Sequence, residues 1–281
     1  MTWFGANMRN VKEKTQLNNK VAAPNSRPLN CYTSFTVGSL FSGIGLLDYG
    51  LEQSGMKTLW QVEYDDWCRE RLAENFPHTE KYKDVREVGK HNLEPVKLIC
   101  GGFPCQDLSV ANTNGKGLNG ERSGLWFEMF RVLCELRPKY ALIENVPNLL
   151  NRGLDRILSD LASVGYDAEW QTLRASAFGL PQTRKRLFIV AYAVANRPAQ
   201  QNVKNTFRQL GEVNQKRFEN KTPVNFTEIG MRFVSIPKHL RLGDGRTFEF
   251  SEIERAVKGF GNGVVIPCAE WIGRQILQAD V

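Results

Sequence analysis

A thiol stands in this chain where a backbone turn would present it. Residues 97–109 read KLICGGFPCQDLS: a short apolar run ends at Cys100, two glycines follow, and Pro104 then Cys105 come next. The apolar run has the character of a buried strand end, and Gly101 and Gly102 let the backbone pass close to a ligand. In open α/β sheets, ligands sit beyond the carboxyl ends of the strands, which is where Cys105 would lie. A cysteine there can act as a nucleophile if its thiolate is stabilised or the reaction consumes its charge. The other reading of Cys105 is a small buried hydrophobe, the usual state of a free cysteine.

Three further groups carry chemistry. Phe41-Ser42-Gly43-Ile44-Gly45 joins a strand to a helix, and Glu63 follows Gly43 by twenty residues, at the tip of the next strand. A carboxylate so placed accepts both hydrogens of a ribose diol while the glycines admit backbone to the ligand. Asp84, ending the following short segment, could hold an adenine amino group. These point to a nucleotide-like cofactor; the competing reading is a glycine turn used for close helix packing. Glu144, in Glu144-Asn145-Val146, caps a strand over 139–143 and would face one crevice with Cys105. Buried carboxylates are rare unless paired or working; the competing role for Glu144 is a helix N-cap. Gln182-Thr183-Arg184-Lys185-Arg186 leads into an apolar strand, and extended alternation puts Gln182, Arg184 and Arg186 on one face. Such groups can clamp an anion or a base edge, and a solvated basic turn is the plain alternative.

The elements that position these groups follow from periodicity. Strands are expected at 35–41, 58–62, 97–100 and 139–143, with helices at 66–75, 125–136 and about 153–164 between or after them. Apolar residues at 125, 126, 129, 130, 133 and 136 give the second of these helices its buried stripe. Stretches 166–173 and 187–192 read as paired closing strands, and a final helix runs from about 268 to 277. Strand, helix, strand with short connections predicts an α/β fold: a Rossmann-like doubly wound, mostly parallel sheet with a small recognition region.

Residues 1–34 are rich in Asn, Lys and Pro and lack an apolar period, so a disordered extension is expected there. The catalytic, cofactor-binding domain is expected over 35–192, a small recognition region over 193–255, and a returning C-terminal motif and helix over 256–281. Net charge is +7, and residues 1–35 and 193–255 each contribute +4. A basic segment beside a near-neutral catalytic half suits a polyanion partner. Six cysteines form no CxxC pair and no His cluster, which argues against a zinc site or a disulfide framework. The longest apolar run, 187–195, is too short for a bilayer, and no apolar h-region follows Met1, so a cytoplasmic location is expected.

Taken in order, FSGIG, Glu63, Asp84, GGFPCQ, ENV, QTRKR and GNGV resemble the DNA cytosine-C5 methyltransferase family. The likeness runs over about 36–192 and resumes near 246. It implies S-adenosyl-L-methionine as cofactor, double-stranded DNA as partner, no metal, a monomer, and a bacterial or phage-encoded modification enzyme. By the resemblance, Cys105 adds to C6 of a flipped cytosine and Glu144 contacts N3, with Arg184 near the base and Arg186 in support. It further implies a cofactor pocket of Phe41, Gly43, Gly45, Glu63, Tyr64, Asp84, Val85, Pro104, Leu125, Asn262 and Gly263. Gln106, Ser109 and Gln182 would meet the substrate, and residues 112–124 would form a closing loop. Where that family carries a large recognition region, 63 residues stand here, 193–255. The alternatives are an RNA (tRNA) cytosine-C5 methyltransferase and a non-catalytic DNA-binding relative. A nicotinamide oxidoreductase leaves GGFPCQ, ENV and QTRKR unexplained.

Overall fold

The computed structural model describes residues 34–104, 124–180, 184–194, 259 and 263–280. Seven strands form one sheet in the order β3-β2-β1-β4-β5-β7-β6. They are β1 (Thr36–Leu40), β2 (Lys57–Val62), β3 (Glu80–Tyr82), β4 (Leu98–Gly101), β5 (Tyr140–Asn145), β6 (Tyr166–Arg174) and β7 (Lys185–Ala193). The first five pair in parallel, and β7 inserts antiparallel between β5 and β6. The order reverses between β1 and β4, the switch point beyond whose carboxyl ends open α/β sheets bind their ligands.

Alternation along the strands sorts the core into two layers. Leu98 and Cys100, Tyr140 and Leu142, and Phe188, Val190 and Tyr192 face one side. Ile99, Ala141, Ile143, Leu187, Ile189 and Ala191 face the other. Being covered on both faces, β4 and β5 are buried at every position, so β4 and the first four residues of β5 read as continuous apolar runs rather than alternating ones, while β5 ends in buried Glu144 and Asn145. The first face is covered by α1 (Leu46–Gln53) and the last helix, α6 (Ile266–Ala279). The second is covered by α3 (Leu125–Leu136) and α5 (Leu154–Ser163). Each fully buried aliphatic side chain in these layers contributes about 2 kcal/mol of transfer free energy. Helix α2 (Asp66–Asn75) begins at Asp65, whose side chain accepts from the Cys68 amide at 3.0 Å. A single turn, α4 (Leu149–Arg152), precedes α5.

The structure moves several expected boundaries. Strand β5 continues through Asn145, so Glu144 lies inside the strand, opposite Phe188 of β7, and caps no helix; Asn148 precedes α4. Strand β3 carries one apolar side chain, Tyr82, too little for a periodic signal, and is held by its pairing to β2. Helix α6 is longer than expected because Pro267 starts it cleanly and buried Ala279 extends the apolar face by most of a turn. Close approach fixes α6 on α1: a Cβ on Gly50 would stand 2.4 Å from that of Ala269. The expected extension at 1–34 and recognition region at 193–255 lie outside the described residues, save for Ser34, Ala193 and Val194. Among the described residues no helix is long and apolar enough to cross a membrane.

Candidate active site

The turn after β1 is built by positive backbone angles. Phe41, Gly43 and Gly45 have φ of 55°, 56° and 84°, and Gly45 starts α1. Gly43 faces open space, with nothing within 4 Å of where a Cβ would sit, so the turn presents bare backbone outward. Behind it, Glu63 follows β2 and is braced by two backbone amides: Gly43 donates at 2.7 Å and Asp65 at 2.9 Å, one to each carboxylate oxygen. Arg69 fixes the same bend by donating to the carbonyls of Glu63 and Tyr64, both at 2.8 Å. Burial raises the Glu63 pKa above its ordinary value, against the lowering effect of those amides. Each oxygen keeps a lone pair for a further donor, as a diol requires.

The other expected cofactor residues that the structure describes sit as follows. Tyr64 is 64% exposed, its ring covered on one side by Lys83 at 5.7 Å. Val85 is buried at the start of a short 3-10 turn, and Leu125 opens α3, half-buried. Asp84 caps the 3-10 turn by accepting from the Arg86 amide at 3.0 Å, and its carboxylate pairs with the Arg86 guanidinium at 2.5 Å. The Arg86 hydrogen bond holds the Asp84 carboxyl below its usual range. Pro104 is exposed at the last described position of the β4 loop.

That loop is tied to β5. Asn145 Nδ2 donates to the Phe103 carbonyl at 3.3 Å. A Cβ on Gly102 would stand 2.6 Å from Glu144 Oε2, so glycine lets the loop backbone lie against the carboxylate. Glu144 is 7% exposed, and Arg186 Nε lies 2.9 Å from its Oε1. Burial pushes the Glu144 pKa up to about 7, although Arg186 and Arg184 both pull it down. Arg184 donates to the Gly263 carbonyl at 2.5 Å, joining the entry of β7 to the segment before α6. Burial, with the neighbouring Arg186, brings the Arg184 pKa down to about 10. The structure therefore brings Glu144, Arg184, Arg186, Gly102 and Gly263 together. Cys105, Gln106, Ser109, Gln182 and Asn262 lie outside the described residues, as does the expected closing loop apart from Gly124.

Sequence reasoning passed over Asn145 and a buried polar group beneath the cradle, Asp48 with Ser39 and Gln61. Asp48 is fully buried and accepts from Gln61 Nε2 at 2.8 Å. The signal was present: a carboxylate inside the apolar stripe of α1, and single polar residues within TVGSL and TLWQV. Two other cysteines, Cys100 and Cys268, are buried. Burial raises the Cys100 and Cys268 thiols far above the ordinary range. Among the described residues no group of His, Cys, Asp or Glu is arranged to hold a metal ion.

The family described as C-5 cytosine-specific DNA methylase matches residues 35–238. The chain is 40% identical over 163 residues to the type II methyltransferase M2.BsuMI of Bacillus subtilis, covering 55% of this chain and 41% of that protein. It is 35% identical to the type II methyltransferase M.Bsp6I of a Bacillus species, covering 56% of this chain and 51% of the relative. The chain thus spans about half the length of the curated relatives it matches. Its fold is like that of an E. coli prophage-encoded chain described as a DNA modification methyltransferase, with TM-score 0.50 and 27% identity. That match covers 58% of this chain and 47% of the other.

Proposed function

Because the chain belongs to the C-5 cytosine-specific DNA methylase family, we propose that it methylates C5 of a cytosine flipped out of duplex DNA, using S-adenosyl-L-methionine. The observation that carries this reading is Glu144: a buried carboxyl poised near pH 7, flanked by two arginines and laid against the glycine loop that leads to Cys105. A cytosine ring is a weak nucleophile at C5 until its 5,6 bond is saturated, and a stacked base offers neither face to attack. A group that adds to C6 and a group that handles charge at N3 answer that need.

The residues present fit the cofactor. The open backbone of Gly43 admits a nucleoside, Glu63 holds acceptor capacity for a diol, and Tyr64 offers an exposed ring beside it. When bound, the cofactor supplies an electrophilic methyl group on a sulfonium. In this mechanism the Cys105 thiolate adds to C6, and the Glu144 carboxyl gives its proton to N3, where the displaced electron pair collects, and takes it back when the 5,6 bond re-forms. C5, now nucleophilic, takes the methyl group. A base then removes the C5 proton and the Cys105 sulfur leaves, restoring the double bond. Arg186 holds Glu144 in place, and Arg184 links that carboxyl to the Gly263 side of the pocket. Residues 193–255 would supply contacts to DNA.

The test is a covalent trap. Wild-type protein with S-adenosyl-L-methionine and duplex DNA carrying 5-fluorocytosine should form a stable adduct, because fluorine cannot leave as a proton does. Cys105→Ala should lose the adduct and all methyl transfer while still binding the cofactor. Trapping that persists in Cys105→Ala would remove the assignment, and trapping on tRNA in place of DNA would move the substrate to RNA.

A further inference from the structure

A polar row runs across the sheet one residue below the strand ends. Lys81 on β3, Gln61 on β2, Ser39 on β1 and Cys100 on β4 are register neighbours. Asp48 descends on this row from the first turn of α1. Its Oδ1 accepts from Gln61 Nε2 at 2.8 Å. Asp48 Oδ2 and Gln61 Oε1 are enclosed with no aligned donor among the described residues. Ser42, inside the 41–45 turn, has its hydroxyl 2.9 Å from Ser39 Oγ, and Ser39 in turn helps to hold the negative charge of the Asp48 carboxylate.

We propose that Asp48 is a positioning residue for the methyl donor: through Ser39 and Ser42 its carboxylate holds the 41–45 turn, and through Gln61 it holds the strand that delivers Glu63. This rests on the reading of that turn as the S-adenosyl-L-methionine cradle. A carboxylate at this depth serves packing poorly, since an uncharged residue of the same shape would avoid its desolvation. Under a cradle for a cation it has a use. S-adenosyl-L-methionine carries a sulfonium and S-adenosyl-L-homocysteine does not, and a buried negative charge acts over long range in a poorly polarisable interior. Asp48 therefore favours the charged donor over the neutral product.

The groups that face Asp48 set its ionisation. Burial pushes its pKa up to about 6, the hydrogen bonds from Gln61 and Ser39 oppose this, and Glu52 on α1 adds to it. Lys81 lies within electrostatic reach from β3 and Cys100 from β4. On α6, Glu270 pairs with Arg274 at 2.8 Å, and Arg274 reaches the Gln53 carbonyl at the far end of α1. A cationic ligand favours the ionised carboxyl, so donor affinity should fall as the pH drops through about 6. Glu63, also raised, contributes dependence of the same sign.

Calorimetric titration of the full chain with each ligand at pH 7.5 and 5.5 tests this, using wild type, Asp48→Asn and Ser39→Ala. Asp48→Asn should bind S-adenosyl-L-methionine ~10-fold more weakly at pH 7.5, lose much less affinity for S-adenosyl-L-homocysteine, and approach wild type at pH 5.5. Ser39→Ala should show a smaller loss of the same kind. The melting temperature of ligand-free Asp48→Asn should rise at pH 7.5, which a packing role would not produce. Equal losses for both ligands with a lowered melting temperature would overturn the proposal, as would donor affinity and pH dependence unchanged from wild type. A wild-type protein that binds neither ligand would instead remove the cradle reading on which the proposal stands.

Discussion

The two edges of the sheet are built on opposite principles. At the amino edge, Asp280 at the end of α6 sits between Lys97, 3.2 Å away, and Lys139, 2.5 Å away. Those lysines also lie over the rings of Phe35 and Tyr140, and Arg137 lies over Tyr166. Burial works against the Asp280 carboxylate, but the two lysines outweigh it and hold its pKa below the ordinary value. At the carboxyl edge stand Glu144 on β5, Glu63 just after β2 and, reaching in from α1 one row down, Asp48, and burial raises all three. One edge spends its charges on holding the last helix to the sheet. The other keeps carboxyls whose burial works against their charged form, a pattern that also marks functional sites and agrees with the roles proposed above.

The largest effect that bears on this contrast is catalytic. Glu144→Gln keeps the shape and loses the ability to serve as both carboxylate and acid. Its kcat should fall ~10²-fold or more, the usual scale of acid–base participation, with DNA affinity changed far less. Single-turnover methylation of a defined duplex beside equilibrium DNA binding measures both. A rate equal to wild type would make Glu144 a structural partner of Arg186 and erase half of the contrast.

A second test reads the carboxyl edge through stability. Glu144, at about 7, and Asp48, at about 6, have folded-state pKa values above their ordinary carboxylate values. Stability from such groups is present below the unfolded pKa and is lost as the pH rises through the folded one. Between pH 6 and pH 8 the ligand-free protein should therefore lose about 2 kcal/mol, most of it from Glu144. Denaturant melts at the two pH values measure it. Stability that climbs over that interval would mean the amino edge dominates the titration.

What the sequence makes legible divides along the same line. The buried strands β4 and β5 announce themselves because both faces are covered, and their apolar runs end at the chemistry-bearing loops. Glu63 and Gly43 are legible as a pair, since a braced carboxylate twenty residues after a glycine turn is a local consequence of one strand–helix–strand unit. The link from Arg184 to Gly263 spans 79 residues and leaves no local pattern. Glu144 looks like a cap in sequence because β5 ends in polar residues. It is a strand residue because β7 pairs alongside it through Leu187, opposite Asn145. Asp48 is only faintly legible: it falls inside the apolar stripe of LLDYGLEQ, but beside Glu52 it is easily taken for part of a solvent face, and the register of β1, β2 and β4 places its partners Ser39 and Gln61 side by side beneath it.

The smallest effect belongs to the amino edge and should leave the chemistry untouched. Asp280→Asn removes the charge that Lys97 and Lys139 share, in a site whose lysines are partly open to water. Solvent screening limits such pairs, so the expected loss at neutral pH is about 1 kcal/mol, or roughly 2–4 °C in melting temperature for a chain of this size. The sign of its pH dependence is opposite to that of Glu144. A lowered carboxylate contributes stability that is present above the unfolded pKa and lost as the pH falls through the folded one. The gap between wild type and Asp280→Asn should therefore hold from pH 8 to pH 6 and close only in acid, near pH 3–4. Added salt should narrow it, as it would not for the fully buried Asp48. Cofactor affinity measured beside these melts should equal wild type, because the sheet separates Asp280 from the cradle by the length of its strands. A weakened affinity in Asp280→Asn would mean that the seating of α6 at one edge is felt at the other through α1, and the two edges would then be one device.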